Sequence, residues 1–206
     1  MARRTKDEAE KTKHAILNAA EKVFYKHGVS RTSLEQIAAV AGVTRGAVYW
    51  HFKDKIELCE AMCERVFLPQ EDVLERLSQS NTDMPLDDLK KACCDSLKLI
   101  ANDKQRQRVI SILMFRCEYV EDMAAIRKRR LECKDKMLKQ CLKILERAHK
   151  LKMLAPGWTP HAAAVCIQSL MGGFIMNGLE GRKEFELAKA APEIIETFFQ
   201  SITART

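Results

Sequence analysis

Turn-forming residues are scarce in this chain, with eight glycines and five prolines among 206 residues. Long periodic apolar patterns with so few breakers exclude a strand-and-turn architecture and predict an all-helical protein. No segment repeats internally and none is of low complexity, so neither a solenoid nor a compositional linker is expected. The eight cysteines, at 59, 63, 93, 94, 117, 133, 141 and 166, lack metal-ribbon spacing. A chain of this size needs no disulfide scaffold, and most are expected to be reduced, buried thiols. Cys59 and Cys63 would share a helix face but have no second pair to complete a zinc site. Cys93 and Cys94 point about 100° apart on a helix and are poor disulfide partners. No metal and no cofactor is expected. Met1 to Lys13 carries both signs of charge with no apolar run behind it. It therefore reads as neither a secretory signal nor a transit peptide, and a cytoplasmic location is expected.

What the chain does have is a core and an uneven charge. Hydrophobic residues make up 47% of it, enough to fill one large or two small domains. Residues 1–55 hold eleven Lys/Arg against six Asp/Glu, so +5 of the total +7 sits in the first quarter of the chain. A basic small end on a nearly neutral body points to an anionic partner for that end, nucleic acid or a membrane surface.

The informative stretch is Thr32 to Lys55, TSLEQIAAVAGVTRGAVYWHFKDK. Thr32 and Ser33 can each cap a helix, with Glu35 and Gln36 three residues on as capping-box partners. Leu34, Ile37, Ala38 and Ala41 recur at helical spacing, and Gly42 follows where the chain leaves the helix. Val43 can plug the turn, and Thr44 caps a second helix. There Ala47, Val48 and Phe52 face back, while Arg45, Gly46, Tyr49, Trp50 and His51 face outward or flank it. Two short helices so joined form a helix-turn-helix, whose second helix enters a DNA major groove.

The remaining helices follow from caps and periodicity. Arg3, Arg4 and Lys6 form a basic arm suited to a phosphate backbone or a minor groove. A first helix spans Asp7 to His27, with Ile16, Ala20, Val23 and Phe24 on one face and Gly28 as its stop. Asp54 caps a helix that should kink or restart at Leu68-Pro69 and continue over Gln70 to Leu77. Helices are predicted from Pro85 to Ala101, from Asp103 to about Cys117, and from Val120 to Leu151, with a loop over Met153 to Pro160. The run Arg127 to Arg130 reads as a solvated face rather than a second DNA site. Ala162 to Leu179 has no charge, but Gln168, Ser169 and Asn177 sit inside it. A helix buried in a subunit interface fits it better than a membrane span. Glu184 to Ile202 closes the chain, and with its neighbour would form a four-helix bundle in a homodimer.

The stretch Ile16 to Leu58 resembles the DNA-binding domain of the TetR family of transcriptional repressors. The opening MARRTKDEAEKTKHAIL, the unbroken TRGAVYWHFKDK and FRCEYVEDM (Phe115 to Met123) resemble the AcrR/TtgR branch, which represses multidrug efflux operons. The resemblance implies residues 1–54 as DNA-binding domain, residues 55–206 as ligand-binding and dimerisation domain, and about nine helices in all. It implies Arg45 as base reader, because a guanidinium can donate to guanine O6 and N7 together. Thr44 and Gly46 would approach DNA closely. Tyr49, His51 and Lys55, with Thr32 and Ser33, would hold phosphates of the double-stranded operator. Trp50 reads as a packing residue.

The same resemblance implies a pocket for a hydrophobic or aromatic, drug-like effector. Its lining would be Val66, Leu89, Ala92, Cys93, Ser96, Ile110, Leu113, Met114, Cys141, Ile167, Gln168, Met171 and Met176. Ile110, Met114 and Met176 replace polar residues of related regulators, which reduces hydrogen bonding to phenols. Binding would shift the helix from Asp54 to Leu77 and spoil the spacing of the recognition helices. Two other classes remain in view. A helical-bundle metalloenzyme needs paired Glu-x-x-His motifs, and Glu146 to His149 is the single match. A constitutive DNA-binding regulator of other genes would have the same reader and no effector.

Overall fold

The computed structural model describes residues 2–117, 124–180 and 187–204, with residues 2–5, 67–71 and 188–190 described by backbone alone. They form nine α-helices: α1 Ala2–His27, α2 Leu34–Ala41, α3 Arg45–His51, α4 Lys55–Gln79, α5 Pro85–Asn102, α6 Lys104–Phe115, α7 Ala124–Lys150, α8 Pro160–Leu179 and α9 Leu187–Ile202. Among the described residues there is one isolated antiparallel bridge, Leu154 to Thr203, and no strand. The all-helical class is as expected. The chain divides into two compact units, Met1–Phe67 with Arg108–Arg130, and Leu68–Gln107 with Leu131–Thr206.

In the first unit α1 begins at Ala2, five residues before the expected Asp7, so the basic arm is helical in its backbone. The residues ARRTKDEAEK are mostly strong helix formers, which explains the early start. Ile16, Ala20, Val23 and Phe24 are buried. Gly28 ends the helix at φ +82°, its N–H donating to the Phe24 carbonyl at 2.9 Å. The next residue, Val29, is buried, and its N–H donates to the Arg116 carbonyl at 3.0 Å just past α6. Two more ties join α1 to this segment. Arg108 Nε meets the Glu21 carboxylate at 2.6 Å, and the Arg116 guanidinium lies 5.9 Å from the centre of the Tyr25 ring.

Of the expected kink or restart at Leu68-Pro69, helix α4 shows no restart. Asp54 Oδ1 accepts the N–H groups of Ile56 and Glu57, each at 2.9 Å, which starts the helix where predicted. The backbone then stays helical through Leu68-Pro69 to Gln79 with no restart. An internal proline removes one N–H donor. Here the loss is absorbed within a 25-residue helix.

In the second unit α5 packs against α8 and α9, and α8 against α9. Leu86, Leu89, Cys93, Leu97 and Ile100 of α5 meet Ala163, Ala164, Ile167 and Phe174 of α8 and Ala191, Ile195, Phe199 and Ile202 of α9 in its core. Lys90 bridges from α5 to Glu196 of α9 at 3.1 Å. The chain end is pinned by two main-chain bonds of 2.8 Å, Ala155 N–H to Ile202 and Ala204 N–H to Met153. Helix α8 has the length and apolarity to cross a membrane, and within this chain it leaves Val165 and Met176 exposed. Its Gln168 amide donates to the Lys134 carbonyl at 3.0 Å.

Candidate nucleic-acid interface

The helix-turn-helix is locked by its caps. Ser33 Oγ accepts the Gln36 N–H at 3.2 Å and the Gln36 side chain accepts the Ser33 N–H at 2.9 Å, the reciprocal box read from the sequence. Gly42, at φ +68°, lets the turn close with bonds from Gly42 N–H to Ala39 and from Val43 N–H to Ala38. Thr44 Oγ1 then accepts the Ala47 N–H at 3.1 Å and starts α3. Val48 and Phe52 are fully buried and seat α3 on the unit, each contributing about 1.5–3 kcal/mol by apolar burial. The opposite side of α3 is open. Arg45, Gly46, Tyr49 and Trp50 are exposed, and Thr44 with them.

Trp50 corrects the packing expectation, since 73% of it is solvent-accessible, with its ring meeting His51 edge-to-face at 4.5 Å. Its indole is therefore open to solvent. Helical periodicity could not settle this, because Trp50 falls at the margin of the apolar face in a helix of only seven residues.

Arg45 is already engaged within the module. Its Nε donates to Glu35 Oε1 at 2.9 Å, its Nη2 donates to the Tyr49 hydroxyl at 3.4 Å, and its guanidinium carbon stands 5.2 Å from the Tyr49 ring centre. The Tyr49 hydrogen bond, and then the Glu35 charge, strengthen its hold on the proton. Glu35 is held below the usual carboxylate range, first by a backbone hydrogen bond, next by the Ser33 hydroxyl, and only then by Arg45.

The expected phosphate contacts divide. Ser33 is partly exposed and Tyr49 exposed, whereas Thr32 is buried and its hydroxyl donates to the Gly28 carbonyl at 2.7 Å. Lys55 directs its ammonium at the carbonyls of Val29 and Ser30, at 3.1 and 3.2 Å, and so clamps the turn that leads into α2. Its partners lie about 25 residues upstream, a separation that no local pattern reveals. His51 is half-buried, and burial, then the charge of Lys13, lowers its pKa. The side chains of Arg3 and Arg4 lie outside the described residues.

Of the expected effector residues, Val66, Ile110 and Leu113 are buried in the first unit and Met114 is partly buried there. In the second unit Leu89, Cys93, Cys141 and Ile167 are buried, Ala92, Ser96, Gln168 and Met171 partly so, and Met176 is exposed. Burial drives the Cys141 thiol up to about 12 and Cys93 higher still, which makes both inert apolar groups at neutral pH. The second unit also carries an open polar groove of about 440 Å³ between α4 and α7, lined by Glu75, Lys136, Lys139, Gln140 and Lys143 among others. None of the expected pocket residues borders it. Among the described residues no group of three or more His, Cys, Asp or Glu is placed to hold a metal ion.

Comparison with known proteins agrees with this geometry. Residues 16–62 match the profile of bacterial regulatory proteins of the tetR family, and residues 84–203 match the C-terminal region of MAATS-type transcriptional repressors. The transcriptional repressor BepR of Brucella suis is 38% identical over 202 residues, covering 98% of this chain and 97% of BepR. Among solved structures, NalD, the secondary repressor of the MexAB-OprM multidrug efflux pump of Pseudomonas aeruginosa, superposes with a TM-score of 0.85 at 37% identity over 95% of this chain and 98% of NalD. SmeT, repressor of the Stenotrophomonas maltophilia efflux pump SmeDEF, superposes in its triclosan complex with a TM-score of 0.84 at 31% identity, covering 93% of this chain and 91% of SmeT.

Proposed function

The chain belongs to the TetR family of transcriptional regulators, which are DNA-binding proteins and not enzymes, and from that premise we propose that it is a homodimeric, ligand-responsive repressor of a multidrug efflux operon. The observation that carries the reading is α3 itself, rigidly seated by Val48 and Phe52 yet open along Arg45, Gly46, Tyr49 and Trp50. A helix so presented fits a major groove. In this reading Arg45 donates to guanine O6 and N7, Thr44 and Gly46 admit the backbone of α3 close to DNA, and Ser33, Tyr49 and His51 hold phosphates. The apolar side chains left exposed on α8 and α9, Val165, Met176 and Ile194, support a dimer through these two helices. Two recognition helices would then address half-sites of a palindrome about 34–36 Å apart.

The effector of this reading is hydrophobic and drug-like, in the manner of the triclosan bound in the SmeT-triclosan complex. The second unit offers Leu89, Cys93, Cys141 and Ile167, with Ser96 and Gln168 as polar groups able to orient a ligand. Such a ligand releases the operator by binding the DNA-incompetent state better, a coupling of about 1–3 kcal/mol. Footprinting on DNA flanking the protein's own gene tests both halves. Protection of a palindrome supports the repressor, and loss of protection with triclosan or another hydrophobic antimicrobial supports the sensor. Absence of a protected site refutes the first. Unchanged affinity in the presence of both antimicrobials and a crude metabolite extract leaves a constitutive regulator instead.

A further inference from the structure

We infer that Glu35 is a positioning residue for base recognition: from α2 it restricts the guanidinium of Arg45 to one of the two orientations that can read a guanine. The inference rests on Arg45 being the base reader. A guanidinium can meet guanine in two ways, side-on through Nε and one Nη, or end-on through both Nη groups, and each supplies two parallel donors. Here the Nε–H is committed to Glu35 Oε1 at 2.9 Å, so only the end-on approach is left. Tyr49, one turn along α3, accepts from Nη2 at 3.4 Å and lies beneath the guanidinium plane, which holds the side chain against the helix. Each Nη retains a hydrogen to donate.

Glu35 is itself anchored. It stands in the first turn of α2, one residue before Gln36 of the capping box, where the helix N-terminus favours a negative charge. The caps of α2 and α3 thus fix the distance between carboxylate and guanidinium before DNA arrives. The four χ angles of a free arginine would otherwise have to be ordered on docking, at the expense of affinity for the correct base. A second consequence follows from charge. Glu35 offsets Arg45 locally, so Arg45 gains less from indiscriminate attraction to phosphates, and the carboxylate is itself repelled by them. Both effects raise discrimination.

The test is selection from a randomised duplex library by the full-length wild type and by Arg45→Ala, Glu35→Ala and Glu35→Gln, followed by affinity measurements on the selected and on a scrambled duplex. Circular dichroism confirms that each variant retains its helices. Arg45→Ala is expected to erase preference at one base pair of each half-site. Glu35→Ala should reduce preference at that same base pair by roughly five- to tenfold and bind the scrambled duplex more tightly than wild type. Glu35→Gln, which keeps an oxygen to accept from Nε, should regain much of the preference while still binding the scrambled duplex tightly. If Glu35→Ala keeps or sharpens the wild-type preference while Arg45→Ala loses it, the positioning role is wrong and Arg45 remains the reader. If Arg45→Ala loses no preference anywhere, both fall together.

Discussion

Replacing Arg108 with methionine gives the most direct measure of what fastens α1 to α6. Arg108 Nε lies 2.6 Å from Glu21, whose side chain is 3% exposed, while that of Arg108 is 38% exposed. Removing one partner of a fully buried pair costs about 3–5 kcal/mol, because a charge is left in a poor solvent. Solvent reaches this pair from the arginine side, so the expected loss is smaller, about 2 kcal/mol. In a chain of this length that corresponds to a fall of about 4–8 °C in Tm. Glu21→Gln removes the charge but keeps an acceptor for the guanidinium, and should cost less than about 1 kcal/mol. Urea unfolding of the two single variants and the double variant closes a cycle, with a coupling energy of about 1–2 kcal/mol expected. The loss should persist at high salt, because screening acts weakly on a buried carboxylate. An Arg108→Met protein within about 0.5 kcal/mol of wild type would refute the argument, since that is the range of an ordinary surface substitution.

Other substitutions probe the reader and the dimer. Lys55→Met deprives two carbonyls of their donor, so it should lower unfolding stability by about 1–2 kcal/mol and leave the salt dependence of operator binding unchanged; a slope shallower by one unit would instead make Lys55 a phosphate contact. Burial, and then the charge of Lys13, lowers the pKa of His51 and favours its neutral form, whereas a bound phosphate would raise that pKa. Operator affinity should therefore increase as pH falls from about 8 to about 6, with the gain lost as pH rises through the bound-state pKa, and His51→Gln should flatten the profile. A pH-independent wild type would remove His51 from the phosphates. Ile194→Glu places a charge on the exposed apolar side of α9 and should yield monomers in light scattering that no longer protect a palindrome; a dimeric variant would move the interface elsewhere.

Most of the helix-turn-helix was legible in the sequence because its signals are local. Ser33 and Gln36, Gly42, and Thr44 with Ala47 act within four residues of one another, the range over which caps and turns are written. The partners of Lys55 and Glu21 were not legible for the opposite reason. Lys55 reaches back 26 residues and Arg108 reaches back 87, and each assignment depends on how helices pack. The helix does not restart after Pro69, because internal proline removes one hydrogen bond while a long helix keeps many. The early start of α1 was hidden for a milder reason, since positive charge near a helix start is unfavourable by the macrodipole, yet propensity over ten residues outweighs it.

The bond from Val29 N–H to the Arg116 carbonyl has a consequence for how such a molecule can change. Both atoms belong to the main chain, and the Lys55 ammonium meets the same turn through two further carbonyls. A joint made of backbone is blind to the side chains on either side of it. Substitutions across α6 can change the side chains that helix presents while the joint to the turn before α2 keeps its form, provided the backbone path holds. The fastening is generic where its surroundings are free to specialise.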